Sequence, residues 1–279
     1  MAFVVNLLLE TDSVAVRDVI CDGACREMGE EERASQTCLV FPYRGVFVRR
    51  IGDEDVVAEP NQVLLFNRDE AYRVSHPVAG GDACLSVAMP EALLAELVPD
   101  THCTKVPAFA FDRQKLQIDA RAQALVALLR HGLATRAAEM LEGETLALTL
   151  VRRAVGRRSV GVSSSSYSSS YGRRKLADRA KLVLSSDLAR RWTLGEIAAE
   201  TGVSPVYLTQ VFQQVEGVPL YRYQLRLRLA KALDLLGDYD DLTALGLELG
   251  FSSHSHFSAA FRQAYGRTPA EFQRFVGLR

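Results

Sequence analysis

The residues best able to do chemistry in the first half of this chain are cysteines. Cys21 and Cys25 are spaced Cys-x3-Cys, within the range of a metal-binding pair, and Cys38, His76 and Cys84 follow on segments that one β-rich fold could bring together. Thiolates and an imidazole around one ion suit a soft or borderline metal, Zn2+ or Cu+. The same thiols could instead form a redox pair, provided that one of them has a depressed pKa. A free cysteine also packs as a small buried hydrophobe, so an organic ligand, or no ligand, stands beside the metal reading. Cys103, next to His102, follows the β-rich part. The chain shows no Gly-rich phosphate loop, no Ser-His-Asp set that can be placed and no His-Glu-x-x-His, so it reads as a protein that is not an enzyme.

These residues must be held by strands. Residues 38–51 break at Arg44-Gly45, residues 61–67 form another short apolar run, and residues 72–77 and 84–88 flank the Gly80-Gly81 turn. Short runs of this kind, separated by turn residues, predict an antiparallel β structure, a small sandwich or barrel. From Phe111 the period becomes helical. Leu116, Ala120, Leu125, Leu128 and Leu129 make one stripe, and Met140, Ala147, Leu148, Val151 and Ala154 make part of another, with a break expected near His131-Gly132. The Ser-rich stretch 158–172 cannot bury enough apolar area to offset its ordering entropy and reads as a flexible linker. The domains are therefore expected at 1–157, with a helix pair over 112–156, and at 173–279.

The second domain is written twice. Gly202 and Gly250 lie 48 residues apart, whereas Phe212 and Phe261 lie 49 apart, so the second copy has one extra residue in its turn. Thr193 with Glu196 is a capping box, Gly202 stops a short helix, and Ser204-Pro205 starts the next. Leu208, Val211, Phe212 and Val215 then give that helix one buried stripe, leaving Val206, Tyr207, Thr209 and Gln210 outward. A helix over 220–236, with Arg222, Arg226 and Arg228 along one edge, joins the copies. At about 1.5 Å per residue it could hold two recognition helices roughly one DNA turn apart.

Residues from about Arg174 to the end resemble the DNA-binding domain of the AraC/XylS family of bacterial transcription regulators. The resemblance rests on the paired helix-turn-helices, Tyr221-x4-Arg226-x3-Ala230, Gly250-Phe251, Phe257, Phe261 and Gly266-Arg-Thr-Pro269. It implies an α+β protein: a cupin-like N-terminal barrel with a dimerising helix pair, then an all-α domain with two helix-turn-helix motifs. It also implies double-stranded DNA, RNA polymerase and a second copy of the chain as partners, and an effector in the first domain. Val206, Tyr207, Thr209 and Gln210 would face one half-site, and His254, Ser255 and Ser258 the other. Gln suits adenine, and Val and Thr methyls suit thymine. Arg222, Arg226, Arg262 and Arg267 are placed for phosphates. The stretch from Cys21 through His76-Pro77 to Gly80-Gly-Asp-Ala-Cys84 is similar to a feature of one subgroup of that family, which favours the metal set Cys21, Cys25, Cys38, His76 and Cys84. A cupin metalloenzyme would show His-x-His on its strands, yet His76 is the one histidine in residues 1–100.

Charge agrees with this division. The whole chain carries a net charge of −1, but residues 173–279 hold 15 Lys and Arg against 11 Asp and Glu, and residues 1–172 hold 18 against 23. The positive balance lies on the repeat, where phosphate would require it. No apolar run approaches a membrane span, and the opening residues lack the basic start of a signal peptide, so a cytoplasmic protein is expected, with its thiols reduced.

Overall fold

A computed structural model describes residues 3–156 and 167–278. The chain opens with nine strands: β1 (Phe3–Glu10), β2 (Ala15–Cys21), β3 (Glu32–Arg33), β4 (Cys38–Gly45), β5 (Phe47–Ile51), β6 (Glu54–Ala58), β7 (Gln62–Phe66), β8 (Ala71–Ser75) and β9 (Asp82–Ala88). Helix α1 (Glu91–Leu97), the short strands β10 (Cys103–Thr104), β11 (Ala110–Phe111) and β12 (Lys115–Gln117), and helices α2 (Ala120–Ala134) and α3 (Met140–Val155) complete the first domain. A six-stranded sheet in the order β1-β2-β9-β4-β7-β12 faces a four-stranded sheet in the order β3-β8-β5-β6, with antiparallel pairing throughout. This is the small antiparallel β structure of two facing sheets that the strand and turn spacing predicts.

Alternation along the strands explains why both faces of the large sheet are apolar. Ala83, Leu85 and Val87 of β9, with Val63 and Leu65 of β7, turn toward α1, α2 and α3. Cys84 and Ala88, with Leu64 and Phe66, turn inward against Phe47, Val56 and Ala58 of the small sheet. The opening apolar run forms β1 at the sheet edge, and its apolar side chains Phe3, Val4, Val5 and Leu7 are exposed.

The helix pair is displaced from its expected position. Leu116 belongs to β12, paired with Val63, and α2 begins where the Asp119 side chain accepts a hydrogen bond from the Ala122 amide. The break expected at His131-Gly132 comes after Ala134 instead. The Gly132 carbonyl accepts from the amides of Ala137 and Ala138, and a Cβ at Gly132 would meet Ala138 at 3.1 Å. Gly132 thus serves the close return of the chain, which looks in sequence like a helix stop.

The C-terminal part comprises α4 (Tyr167–Ser186), α5 (Leu194–Thr201), α6 (Pro205–Glu216), α7 (Leu220–Leu235), α8 (Leu242–Glu248), α9 (His254–Tyr265) and α10 (Pro269–Phe275). Of the expected linker, residues 158–166 lie outside the described residues, and Tyr167–Gly172 form the first turns of α4. Leu176, Ala180 and Leu184 of α4 pack on Ile197, Leu208 and Phe212, so α4 extends the first helix-turn-helix core.

The two domains are docked on each other, where a flexible tether alone was expected. Ala127 of α2 enters the core formed by Leu229, Leu233, Phe257 and Phe261. Asp234 of α7, its side chain 1% exposed, lies 2.6 Å from Arg44 Nε and 2.9 Å from Arg130 Nη2, both from the first domain. Tyr223 donates to Glu59, and Lys181 Nζ lies 2.6 Å from Glu216, to which Gln117 also donates. Burial pulls the Lys181 pKa down, but Glu216, Asp178 and Glu59 outweigh it and leave it raised. Charges are withdrawn from water here only because each meets a counter-charge across or beside the junction.

Candidate functional site

The first helix-turn-helix forms as its local signals dictate. Thr193 and Glu196 make the reciprocal capping box at α5, Gly202 takes a left-handed conformation (φ 72°), and the Ser204 hydroxyl accepts from the Tyr207 amide ahead of Pro205. In the second, Asp241 caps α8, Gly250 turns at φ 80°, and Ser253 caps α9. The extra residue of the second copy lies between Gly250 and Ser253, as its spacing requires. Leu208, Val211 and Phe212 are buried on α6, as are Phe257 and Phe261 on α9.

The opposite faces are open. Val206 is 69% and Tyr207 48% exposed. Gln210, His254, Ser255, Arg222, Arg226, Arg262 and Arg267 are also exposed, and Thr209 and Ser258 are half-buried. Local bonds hold part of this surface: Thr209 donates to its own Pro205 carbonyl, Ser258 lies 3.2 Å from His254 Nε2, and the Arg267 guanidinium stacks 4.1 Å from the Phe275 ring. Arg228, read with the cationic edge of its helix, has another place. It donates to the carbonyls of Leu188, Ala189, Arg190 and Gly250, binding the segment before α5 to the turn of the second motif. The clamp lies where the Ala189 backbone approaches Gly250 so closely that a Cβ there would sit 2.2 Å from the Ala189 carbonyl oxygen.

The second candidate site lies at one end of the barrel. Ligand atoms of Cys21, His76 and Asp82 all lie within 4.8 Å of one another, and all three residues are buried. His76 Nε2 is 2.5 Å from Asp82 Oδ1, His76 Nδ1 is 3.3 Å from Cys25 Sγ, and Cys84 Sγ is 3.6 Å from Asp82 Oδ2. Strand register explains the convergence: Cys21 pairs with Asp82, and Cys84 follows two residues on, toward the same face. Glycines then let the loops close. A Cβ on Gly23 would sit 2.7 Å from Gly81 Cα, one on Gly81 2.3 Å from the Cys21 carbonyl oxygen, and one on Gly45 2.0 Å from the Gly81 carbonyl oxygen.

Two expectations for this site change. Cys38 pairs with Ala88, six residues along β9 from Asp82, or about 20 Å at roughly 3.3 Å per residue, and so is not in the cluster. Asp82, overlooked in the sequence because carboxylates are common, takes its place; its signal was the Cys21–Asp82 register. The hydrogen bond to Asp82 raises the His76 pKa to about 9 despite burial, aided by Cys25. Burial pushes the thiols of Cys21 and Cys84 up, away from the depressed range that a redox pair requires of one of its thiols.

Two capped, Gly-turned helix pairs with open second helices, joined to a β-barrel domain, define a two-domain nucleic-acid-binding protein. A family model described as a helix-turn-helix domain matches residues 197–274. The "probable transcriptional regulator LumQ" of Photobacterium leiognathi is 26% identical over 87% of this chain and 94% of its own. The activator CfaD of Escherichia coli is 33% identical over 34% of this chain, and the regulator ArgR of Pseudomonas aeruginosa is 35% identical over 33%. Those two matches span 36% and 29% of the relatives' own lengths, about a third. Among solved structures, an AraC-type regulator from Chromobacterium violaceum is 30% identical over 38% of this chain and 95% of that one, at TM-score 0.36. ToxT from Vibrio cholerae aligns over 100% of this chain and 99% of its own at 11% identity and TM-score 0.36. Residues 197–274 are a helix-turn-helix domain, and the matched relatives are named as transcriptional regulators, the class to which the two helix-turn-helices of this DNA-binding chain correspond. No helix among the described residues is long and apolar enough to cross a membrane.

Proposed function

We propose that this regulator reads double-stranded DNA with α6 and α9 and takes its signal at the thiol–imidazole–carboxylate cluster of the barrel, as a bound metal ion or through thiol chemistry. The observation that carries the signal reading is the buried group of Cys21, His76 and Asp82 within 4.8 Å, with Cys25 against the same imidazole. Sulfur, nitrogen and oxygen donors together fit one borderline ion such as Zn2+, and Cu+ if the sulfurs dominate. The ion would supply a cross-link between β2, the 21–25 loop and the turn before β9. Val206, Tyr207, Thr209 and Gln210 face the first half-site, and His254, Ser255 and Ser258 the second, while Arg222, Arg226, Arg262 and Arg267 meet phosphates.

The test is elemental analysis of protein purified under reducing conditions without chelator, with thiols counted on the same sample. Near-stoichiometric metal that is lost in Cys21→Ser and in Asp82→Asn supports the reading. No metal together with five freely reactive thiols sinks it. A second reading, an organic effector, is favoured by a cavity of about 340 Å3 between the barrel and the second domain, lined in part by Arg44, Val78, Gly80, Ser186, Leu227 and Lys231.

The protein acts as a homodimer in this reading, and by family likeness contacts RNA polymerase. Helix α2 is occupied by the second domain, which leaves α3 and the neighbouring β1 to the dimer. Met140 and Leu141 at the start of α3 are 63% and 73% exposed, beside an edge strand with outward Phe3, Val5 and Leu7.

A further inference from the structure

Between the cysteine cluster and the DNA-binding helices runs a short chain of contacts through one turn. On its inner side the turn at residues 78–82 carries Asp82 and Gly81, and the Gly81 backbone is pressed against Cys21, Gly23 and Gly45 too closely for any side chain. On its outer side Val78 packs with Val46, Val48, Val57 and Met28 against Leu182 of α4. Val78, Ala79, Gly80 and Gly81 also form one wall of the 340 Å3 cavity, and Ser185, Ser186, Asp187, Leu188 and Ala189 form the facing wall. That facing segment is the one whose carbonyls Arg228 ties to Gly250, at 2.6 to 3.2 Å. The segment leads directly into the first helix-turn-helix and lies against the turn of the second.

Resting on the reading of the cluster as the signal site, we infer that the 78–82 turn is the lever by which that site controls the DNA-binding domain. Its position sets how α4 and the 185–190 segment seat on the barrel, and through Arg228 and Gly250 it sets the relation of the two helix-turn-helices. The physical basis is mechanical. Gly80 (φ 110°) and Gly81 (φ 69°) give the turn backbone freedom, and the cavity beyond it gives room to move. On the inner side there is no such room, since Gly23 and Gly45 already touch Gly81. A change in the separation of Cys21, His76 and Asp82 therefore displaces the turn outward, toward Ser185–Ala189. A signal biases the domain arrangement only if it favours one turn position over another, and admitting an ion does so: His76 Nε2 and Asp82 Oδ1, now 2.5 Å apart, must separate, because two donors on one tetrahedral ion lie roughly 3.3 Å from each other.

The test is amide hydrogen exchange on the full chain, with and without Zn2+, with zinc content measured on the same samples. Zinc should slow exchange at Cys21–Cys25 and at Ala79–Cys84, and should change it by about fivefold or more over Ser186–Arg190 and Gly250–Ser252, far from any ligand. In Leu182→Ala zinc should still bind, and the remote change should shrink while the local one stays. Zinc binding with a response confined to residues 21–25 and 76–84 overturns the lever and leaves the metal reading intact. If no zinc binds, the zinc reading fails by itself, and His76→Ala, which frees Asp82 and Cys25 from their shared imidazole, tests the lever instead. Faster exchange over Ser186–Arg190 in that variant supports the lever, and exchange unchanged there overturns it.

Discussion

At the scale of single residues, the proposed reading gives the exposed Gln210 and Arg226 different roles, base reading and phosphate attraction. An exposed glutamine on a recognition helix can hold adenine through two hydrogen bonds, so Gln210→Ala should cost about 1–3 kcal/mol at one base position and relax specificity there. Equal losses on selected and scrambled DNA would remove Gln210 from that role. Arg226→Ala should weaken every sequence alike and reduce the slope of affinity against salt by about one counterion, which binding titrations over a salt series measure directly. His131 gives a pH prediction of a different kind. Burial, helped by Arg130, holds its pKa at about 4, and its Nε2 lies 3.0 Å from the Leu233 carbonyl across the domain junction. The unfolded chain takes up that proton near pH 6.5, before the folded one does. The neutral imidazole's contribution, roughly 3 kcal/mol at most, is therefore complete above about 6.5 and is lost as pH falls toward 4. Denaturant melts of the wild type and His131→Gln should converge across that window. A wild-type loss of stability that His131→Gln fully retains would show that another group is responsible.

At the scale of elements, the helix-turn-helices were the most legible part of the chain. Their capping box, Gly C-caps and Ser-Pro start are local chemistry, in which each signal and its partner sit within four residues. Ser204→Ala should cost about 1 kcal/mol by leaving the Tyr207 amide without its acceptor. Thermal melts would register that as a small shift in midpoint. The helix pair of the first domain was harder to read, since Gly132 resembles a stop and Leu116 fits a helical stripe by spacing alone. Their true places depend on Ala138 and on Val63, partners the local pattern does not contain. With α2 covered by α7 and α9, Leu141→Arg on α3 should convert a dimer into monomer without lowering the melting temperature. Sedimentation at several concentrations would show it, and an unchanged dimer would place the interface elsewhere.

At the scale of the whole molecule, the domain junction outweighs the linker. Asp234 holds Arg44 and Arg130 at once, and removing it leaves two cations without their shared buried partner. Asp234→Ala should destabilise the docked form by about 3 kcal/mol and increase the radius of gyration in solution scattering. A compact particle of unchanged radius would mean that apolar contacts such as Ala127 against Leu229 and Leu233 suffice for docking.

The sequence by itself determined the two domains, the paired helix-turn-helices with their outward residues, the basic bias of the second half and most of the thiol cluster. All of these rest on signals that are local, or that repeat. Tertiary structure alone decided that Asp82 joins Cys21 and His76 while Cys38 stays apart, because strand register is a pairing between distant segments and spacing along the chain does not contain it. It likewise decided that Arg228 braces carbonyls and that Asp234, Glu59 and Lys181 lock the domains together. A charged residue reads as solvent-facing until its counter-charge is known, and these counter-charges lie as far as 190 residues away.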